Sequence, residues 1–103
     1  MAIQSVTLGN GYSTVYTSNG NNAITVMYLC NTSQDTVTFN LYAVPNGSVP
    51  DTNNIFYYAV PIAPTDTYVI DMEKLILGDQ DQVVATSSSL TNAIVVTISS
   101  MEL

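Results

Sequence analysis

The stretch TSNGNNAITVMYLCNTSQDTVTFNLYAVPNG, residues 17–47, carries two runs of β-forming residues, Ala23–Asn31 and Thr36–Val44, between loops of Asn, Gly and Ser. In the second run, every other residue from Val37 to Ala43 is apolar. A period of two places alternate side chains on opposite faces of a strand. This run therefore predicts a strand with one face buried in a core.

The same succession of strand and turn continues on both sides of this stretch. Turn signals recur about every 8–12 residues, which is typical of a sandwich or a barrel. The predicted strands are Ile3–Leu8, Ser13–Tyr16, Ala23–Asn31, Thr36–Val44, Ile55–Val60, Thr67–Met72, Gln82–Thr86 and Ala93–Met101. The segment EKLIL at residues 73–77 fits either one helical turn or the end of a strand.

Helix signals are weak, because Val, Ile, Thr and Tyr dominate and no window combines a 3.6-residue period with caps at both ends. Without crossover helices, neighbouring strands pair mainly antiparallel. We therefore expect an all-β fold, an antiparallel β-sandwich of jelly-roll or immunoglobulin-like type with seven to eight strands. A single domain over residues 1–103 accounts for the chain, since this length suffices for one core.

Individual strands carry further positional signals. In each of two predicted strands, alternate residues are expected to face the core. These are Tyr68, Ile70 and Met72 in one strand, and Ile94, Val96 and Ile98 in the other. Pro61 has no N–H to donate, so the strand that reaches it is expected to lie at a sheet edge or to bend there.

The charge balance excludes several classes of partner. The net charge is −7, and Lys74 is the only cation. Nucleic-acid binding requires several Lys or Arg residues on phosphates, and anionic membranes attract basic segments, so we expect neither partner. No apolar run reaches the length of about 18 residues that spans a bilayer. The start, MAIQSVTLGN, lacks the features of a signal peptide, so we expect folding in the cytoplasm of the producing cell.

Residues that catalysis and metal binding usually need are scarce. The chain has no histidine and one cysteine, which excludes a Ser-His-Asp triad and a thiolate zinc site. Asp79 and Asp81 in GDQD offer the oxygen ligands that calcium prefers, but the rest of a calcium loop is missing. The alternative is that both accept hydrogen bonds in a turn. We predict no catalytic residue, no cofactor and no metal site.

Two other sequence features have a plain structural interpretation. Cys30 is expected to be a small core residue, because no basic neighbour would activate its thiol. Asn31-Thr-Ser and Asn46-Gly-Ser match the glycosylation pattern, but they have no meaning without a secretory route.

In the run Ala23–Asn31, both faces of a regular strand would be apolar. Strict alternation assigns Met27 and Leu29 to one face. The opposite face then carries four residues: Ile24, Val26, Tyr28 and Cys30. A strand covered on both sides is either central or covered by another chain. We therefore consider Met27 and Leu29 interface residues that a neighbouring subunit covers, with capping by loop residues as the alternative.

Seven tyrosines suggest a surface for sugars or proteins, because aromatic rings bury well at interfaces. Tyr57 and Tyr58, beside the loop Pro45–Asn54, form the best such cluster. The alternative is that tyrosine is simply a good strand residue.

Three stretches together resemble a class of small virion structural β-sandwich proteins of tailed phages, of the kind found in cyanophages and other marine phages. They are VYTSNGNNAITVMYLCNTSQDTVTFNLYAVP, VPIAPTDTYVIDMEKLILGDQDQVVATSSS and AIVVTISSMEL. The resemblance covers nearly the whole chain. It implies a structural role in the particle and supplies no catalytic residues.

Composition and resemblance together favour a non-enzymatic virion structural protein, made in the host cytoplasm. The first hypothesis is a capsid or neck decoration (cement) protein that binds copies of itself, with a trimer as the expected form, and other virion proteins. The alternative is a module associated with the tail, baseplate or fibre, with host-glycan contact near Pro45–Tyr58. A non-viral adhesion domain is the third. The candidate interface residues are Met27, Leu29, Tyr57 and Tyr58.

Overall fold

β-branched and aromatic residues fill eight strands in the part of the chain that the structure, a computed structural model, describes. The described residues are 2–88 and 93–103, with side chains described except at positions 2 and 72–74. The strands are β1 Ala2–Leu8, β2 Ser13–Thr17, β3 Asn22–Asn31, β4 Val37–Val44, β5 Ile55–Ile62, β6 Thr67–Leu77, β7 Gln82–Ser87 and β8 Ile94–Glu102. These residues contain no helix.

The predicted strands are all present, with small shifts of their ends. Residues 73–77 belong to β6, so the strand interpretation of EKLIL is correct. Pro61 lies in β5, which is an edge strand of its sheet as predicted, because an edge tolerates a residue without an N–H group. Residues 89–92, which form most of the segment SSSLTN that the sequence places as a polar loop between the last two strands, lie outside the described residues.

The strands form two antiparallel sheets of four strands each. Sheet 1 has the order β1-β8-β3-β6, and sheet 2 has the order β2-β7-β4-β5. Every connection except β4–β5 crosses from one sheet to the other, which is the double Greek key of a jelly roll. The immunoglobulin arrangement, in which the first two strands share a sheet, is not the one observed. The predicted antiparallel β-sandwich is thus confirmed, in its jelly-roll form.

The core lies between the two sheets and is built from alternate residues of the strands. Two predicted inward-facing sets lie at the core. Val37, Phe39 and Leu41 in β4 are buried, and Ala43, the last of that set, is half-buried; Ile94, Val96 and Ile98 in β8 are all buried. Ile70 is buried as well, and the ring of Tyr68 lies 5.6 Å from that of Phe39. The side chain of Met72, the third member of that set, lies outside the described residues.

A β-bulge in β3 changes the phase of its side chains. Ile24 pairs with Ser100 of β8, and Val26 pairs with the adjacent Ser99. Thr25 is therefore an extra residue without a partner in this ladder, and its hydroxyl donates to the carbonyl oxygen of Ser99 at 3.2 Å. One extra residue moves every following side chain to the other face of the strand.

The bulge corrects two predictions. Met27 and Leu29 are 0% exposed in the core of a single chain, so the prediction that a neighbouring subunit covers them is wrong, and loops do not cap them. Cys30 was expected in the core but is half-buried on the outward side of β3. Tyr28 also faces outward.

Asn31 closes the upper end of the sandwich, where the loops β1–β2, β3–β4 and β5–β6 lie. Its Nδ2 donates to the carbonyl oxygens of Asp35 and Ile62 at 2.7 and 3.0 Å. Its Oδ1 accepts from the backbone N–H and the hydroxyl of Ser33 at 3.0 and 2.7 Å. The side chain is completely buried, so the Asn31 triplet does not present an accessible glycosylation acceptor.

Ser18 has the same role at the lower end, which contains the loops β2–β3, β4–β5 and β6–β7. Its hydroxyl donates to the carbonyl oxygen of Gly20 at 2.8 Å and accepts from Nδ2 of Asn22 at 3.0 Å. The carbonyl oxygen of Ser18 accepts from the N–H of Gln80 at 2.8 Å. Polar side chains therefore fix both ends of the apolar sandwich.

Candidate interaction surface

The outward side chains of sheet 1 form one open surface, which we call the outer face. The pairing register aligns Ser5 of β1, Thr97 of β8, Tyr28 of β3 and Val69 of β6 in one row across all four strands. Adjacent residues along a strand point to opposite sides, and Leu29, next to Tyr28, is buried. The row therefore faces away from the core.

Large apolar side chains are exposed on the outer face. Their exposed fractions are 75% for Ile3, 63% for Ile76, 54% for Val69 and 42% for Tyr28. Half-buried apolar residues lie between them: Val26, Cys30, Val95 and Met101. Exposed apolar side chains gathered on one surface of a sheet are a feature that marks sites of contact with other molecules.

Hydroxyl groups occupy most other positions of the outer face: Ser5, Thr7, Thr67, Thr97 and Ser99. The hydroxyl oxygens of Ser5 and Thr97 lie 3.4 Å apart. Among the side chains that the structure describes, Asp71 on the edge strand β6 is the only charged group of this face. The centres of protein interfaces are depleted in charge, and the described side chains of the outer face share that depletion.

The outward surface of sheet 2 is covered in part by the chain itself. Tyr42, Val44 and Val84 are buried there, and Ile55 packs against them. The ring of Tyr12 meets that of Tyr42 edge-on, with centroids 5.6 Å apart. Burial, reinforced by the neighbouring Tyr12, raises the pKa of Tyr42 above its ordinary value. The outer face of sheet 1 is thus the more open of the two sheet surfaces.

The structure separates Tyr57 from Tyr58. Tyr58 and Ala59 both lie opposite Asn40 in a bulge of β5, and the N–H of Ala59 donates to Oδ1 of Asn40 at 2.7 Å. Tyr57 turns inward, and its ring lies 6.3 Å from that of Phe39, whereas Tyr58 is 74% exposed. Tyr58 is therefore the member of the pair that a partner or ligand can contact most fully.

The aspartates of GDQD join loops at the lower end. Oδ1 of Asp79 accepts from the N–H of Gly20 at 2.8 Å. The carboxylate of Asp81 accepts from the N–H groups of Gly78 and Asn46, both at 2.8 Å. In residues 2–88 and 93–103, no group of three acidic or cysteine side chains is placed to hold a metal ion. The hydrogen-bonding interpretation of GDQD accounts for these contacts.

A polar cleft of about 310 Å³ also opens between the sheets at the lower end. Gln4, Tyr16, Asn19 and Glu102 are among the residues that line it. The amide of Asn22 in this cleft already donates to Ser18 and to the carbonyl oxygen of Asn19. The hydrogen bonds of this amide thus hold the β2–β3 loop in place.

No protein-family model, curated protein or solved structure matches this chain. The ranges 2–88 and 93–103 contain no helix of the length and hydropathy needed to cross a membrane. The fold and the outer face are therefore the basis for a functional proposal.

Sequence reasoning missed the outer face, because it assigned Tyr28 and Cys30 to the core side of β3. A usable signal lay in β6, where Val69 is apolar between Tyr68 and Ile70 and makes both faces of the strand apolar. β3 has the same double-sided apolar pattern, and its outward members are Val26, Tyr28 and Cys30, not Met27 and Leu29.

Proposed function

We propose that this chain is a non-enzymatic structural protein of a phage virion, most simply a decoration (cement) protein of the capsid or neck. It acts through protein–protein contacts with copies of itself and with other virion proteins. It is made in the host cytoplasm and works in the particle, without a cofactor and without contact to nucleic acid or membrane.

The outer face of sheet 1 is the observation that carries this proposal. It extends across four strands, and its described side chains are apolar or carry hydroxyls apart from Asp71. Each hydrogen bond across such a surface contributes about 1 kcal/mol net. Repetition over many copies makes the total attachment strong without any single tight site.

The fold and the charge are further support. Jelly rolls are common among viral capsid domains, although this is an analogy at the level of fold. The net charge of −7 with a single cation repels packaged DNA, which suits an outward position on the particle.

Purified particles of the phage whose genome encodes the chain provide the test. Peptide mass spectrometry should find the chain in gradient-purified virions, and cryo-electron microscopy should place its sandwich on the head or neck. Recombinant chain should also co-sediment with particles that lack it. Absence from purified particles, together with failure to co-sediment, would reject the proposal.

Tyr58 supports a second candidate, a module of the tail, baseplate or fibre that contacts host glycan. The bulge of β5 directs this ring outward, and bulges often re-aim a side chain next to a binding site. Binding to a glycan array should then be lost in Tyr58→Ala. Leu103→Ala, at an exposed apolar residue away from β5, is the matched control and should bind normally. An array without any signal for the unmodified chain would reject glycan contact.

A further inference from the structure

The outer face of sheet 1 is chemically complementary to itself. Hydroxyl groups such as those of Ser5 and Thr97 both donate and accept, so each can pair with an identical group on a second copy. The exposed side chains of Tyr28, Val69 and Ile76 equally suit an apolar surface of the same kind. A charged patch, in contrast, requires a partner of opposite charge.

The described carboxylates lie mostly away from this face. Those in loops are Asp35 and Asp66 at the upper end, and Asp51, Asp79 and Asp81 at the lower end. On the outer face, Asp71 lies at the rim, because β6 is an edge strand. Two chains that each carry a net charge of −7 therefore oppose few carboxylates when they meet through the outer face, and several when they meet end to end.

We propose that a second copy of this chain packs on the outer face, around a two-fold axis that passes near Tyr28 and Thr97. The same patch then serves both partners, and the contact closes on itself. Packing of two sheets face to face is a standard arrangement of β structure. The result is a dimer, in place of the trimer expected from the sequence.

The size of the face is sufficient for such a contact. A specific interface buries about 800 Å² on each partner, which is about one seventh of the 5560 Å² surface of the chain. The molecule measures 38 × 26 × 18 Å, and the shortest dimension fits two sheets stacked about 10 Å apart. A broad side of this slab provides more than the required share.

This assignment deepens the proposed function and rests on it, because a virion protein acts through repeated contacts of this kind. The test is the molar mass of the purified chain by sedimentation equilibrium over a range of concentrations. We expect reversible dimerisation at micromolar concentration. Tyr28→Asp should weaken it by more than about tenfold, because Tyr28 lies on the central strand β3 beside the axis, where the two like charges would face each other.

Tyr58→Asp is the matched control, since it adds the same charge at an exposed aromatic residue of sheet 2. It should dimerise like the unmodified chain. Circular dichroism and thermal melting of both variants establish that they are folded. A folded Tyr28→Asp that dimerises normally would overturn the assignment, and so would an unmodified chain that stays monomeric at millimolar concentration.

Cys30 gives a second measurement that needs no variant. It is the only cysteine and lies on the outer face, so its reaction with a maleimide should slow as the dimer forms. An equal rate in monomer and dimer would overturn the assignment. A dimer absent from virions would reject the proposed function alone, whereas a monomer found on virions would reject the outer-face dimer alone.

Discussion

At the scale of single residues, polar side chains at the two ends of the sandwich form specific hydrogen bonds that hold the loops to the strands. Asn31 uses both Nδ2 and Oδ1 and joins the β3–β4 loop to β5. Because this amide has no contact with solvent, any substitution that removes it deprives the buried carbonyl oxygen of Ile62, and part-buried backbone groups of Ser33 and Asp35, of this hydrogen-bond partner. Burial of an unpaired polar group is among the larger effects that one mutation can have.

Asn31→Ala should therefore lower the free energy of unfolding by about 3 kcal/mol, since each buried group left unpaired costs about 1–3 kcal/mol. Urea unfolding followed by circular dichroism measures the change. Asn21→Ala, at an exposed asparagine of the lower end, should change stability by less than about 0.5 kcal/mol. Equal losses in the two variants would contradict this account of Asn31.

Thr65 occupies a backbone conformation that suits glycine better. Its φ is +61°, and the N–H of Asp66 donates to the carbonyl oxygen of Ala63 at 3.1 Å, which with Pro64 makes a type II turn. Thr65→Gly should raise the melting temperature by about 4 °C, because release of the strain is worth about 1 kcal/mol. Thr52→Gly, at an exposed position without a positive φ, should lower it slightly, and a fall in both variants would exclude strain at Thr65.

At the scale of elements, local pattern was sufficient for the strands but not for all of their faces. The alternation in β4 and β8 predicted the buried sets correctly, since those strands keep one phase through their central residues. In β3 the bulge at Thr25 is a long-range property, because it exists only in the pairing of β3 with its neighbours β8 and β6. The choice between jelly roll and immunoglobulin order likewise depends on pairs distant in sequence, such as β1 with β8.

The bulge in β3 predicts a large loss of stability at one position and a small loss at the next. Leu29→Ala removes a fully buried side chain and should cost about 2–5 kcal/mol in the free energy of unfolding. Cys30→Ala, on the outward side, should cost less than about 1 kcal/mol. Chemical denaturation of the two variants decides the phase of the strand. A larger loss at Cys30 than at Leu29 would mean that Cys30 faces the core, and would contradict the phase change at the bulge.

At the scale of the whole molecule, the net charge of −7 opposes the compact state. The described carboxylates are concentrated in loops at two ends of a body 38 Å long. At low ionic strength their repulsion acts over a distance comparable with the molecule, since the Debye length is about 30 Å at 0.01 M salt and about 10 Å at 0.1 M.

Raising sodium chloride from about 0.01 M to about 0.1 M should therefore raise the melting temperature by a few degrees, because it screens this repulsion. Differential scanning calorimetry at fixed protein concentration measures the shift. In Asp35→Asn/Asp51→Asn, which removes one charge at each end, the shift should be smaller. If the melting temperature shifts equally in the unmodified chain and in the double variant, repulsion between the ends is not the cause of the shift.

The pairing of β1 with β8 also determines how the chain responds to mechanical load. Ala2 lies opposite Ser100, so the start of β1 and the end of β8 leave the ladder side by side. A force that pulls these ends apart would break the bonds of the ladder one after another, as in unzipping. A copy tethered through its termini would peel under a small force, whereas one gripped through the broad side of sheet 1 would distribute the same force over four strands.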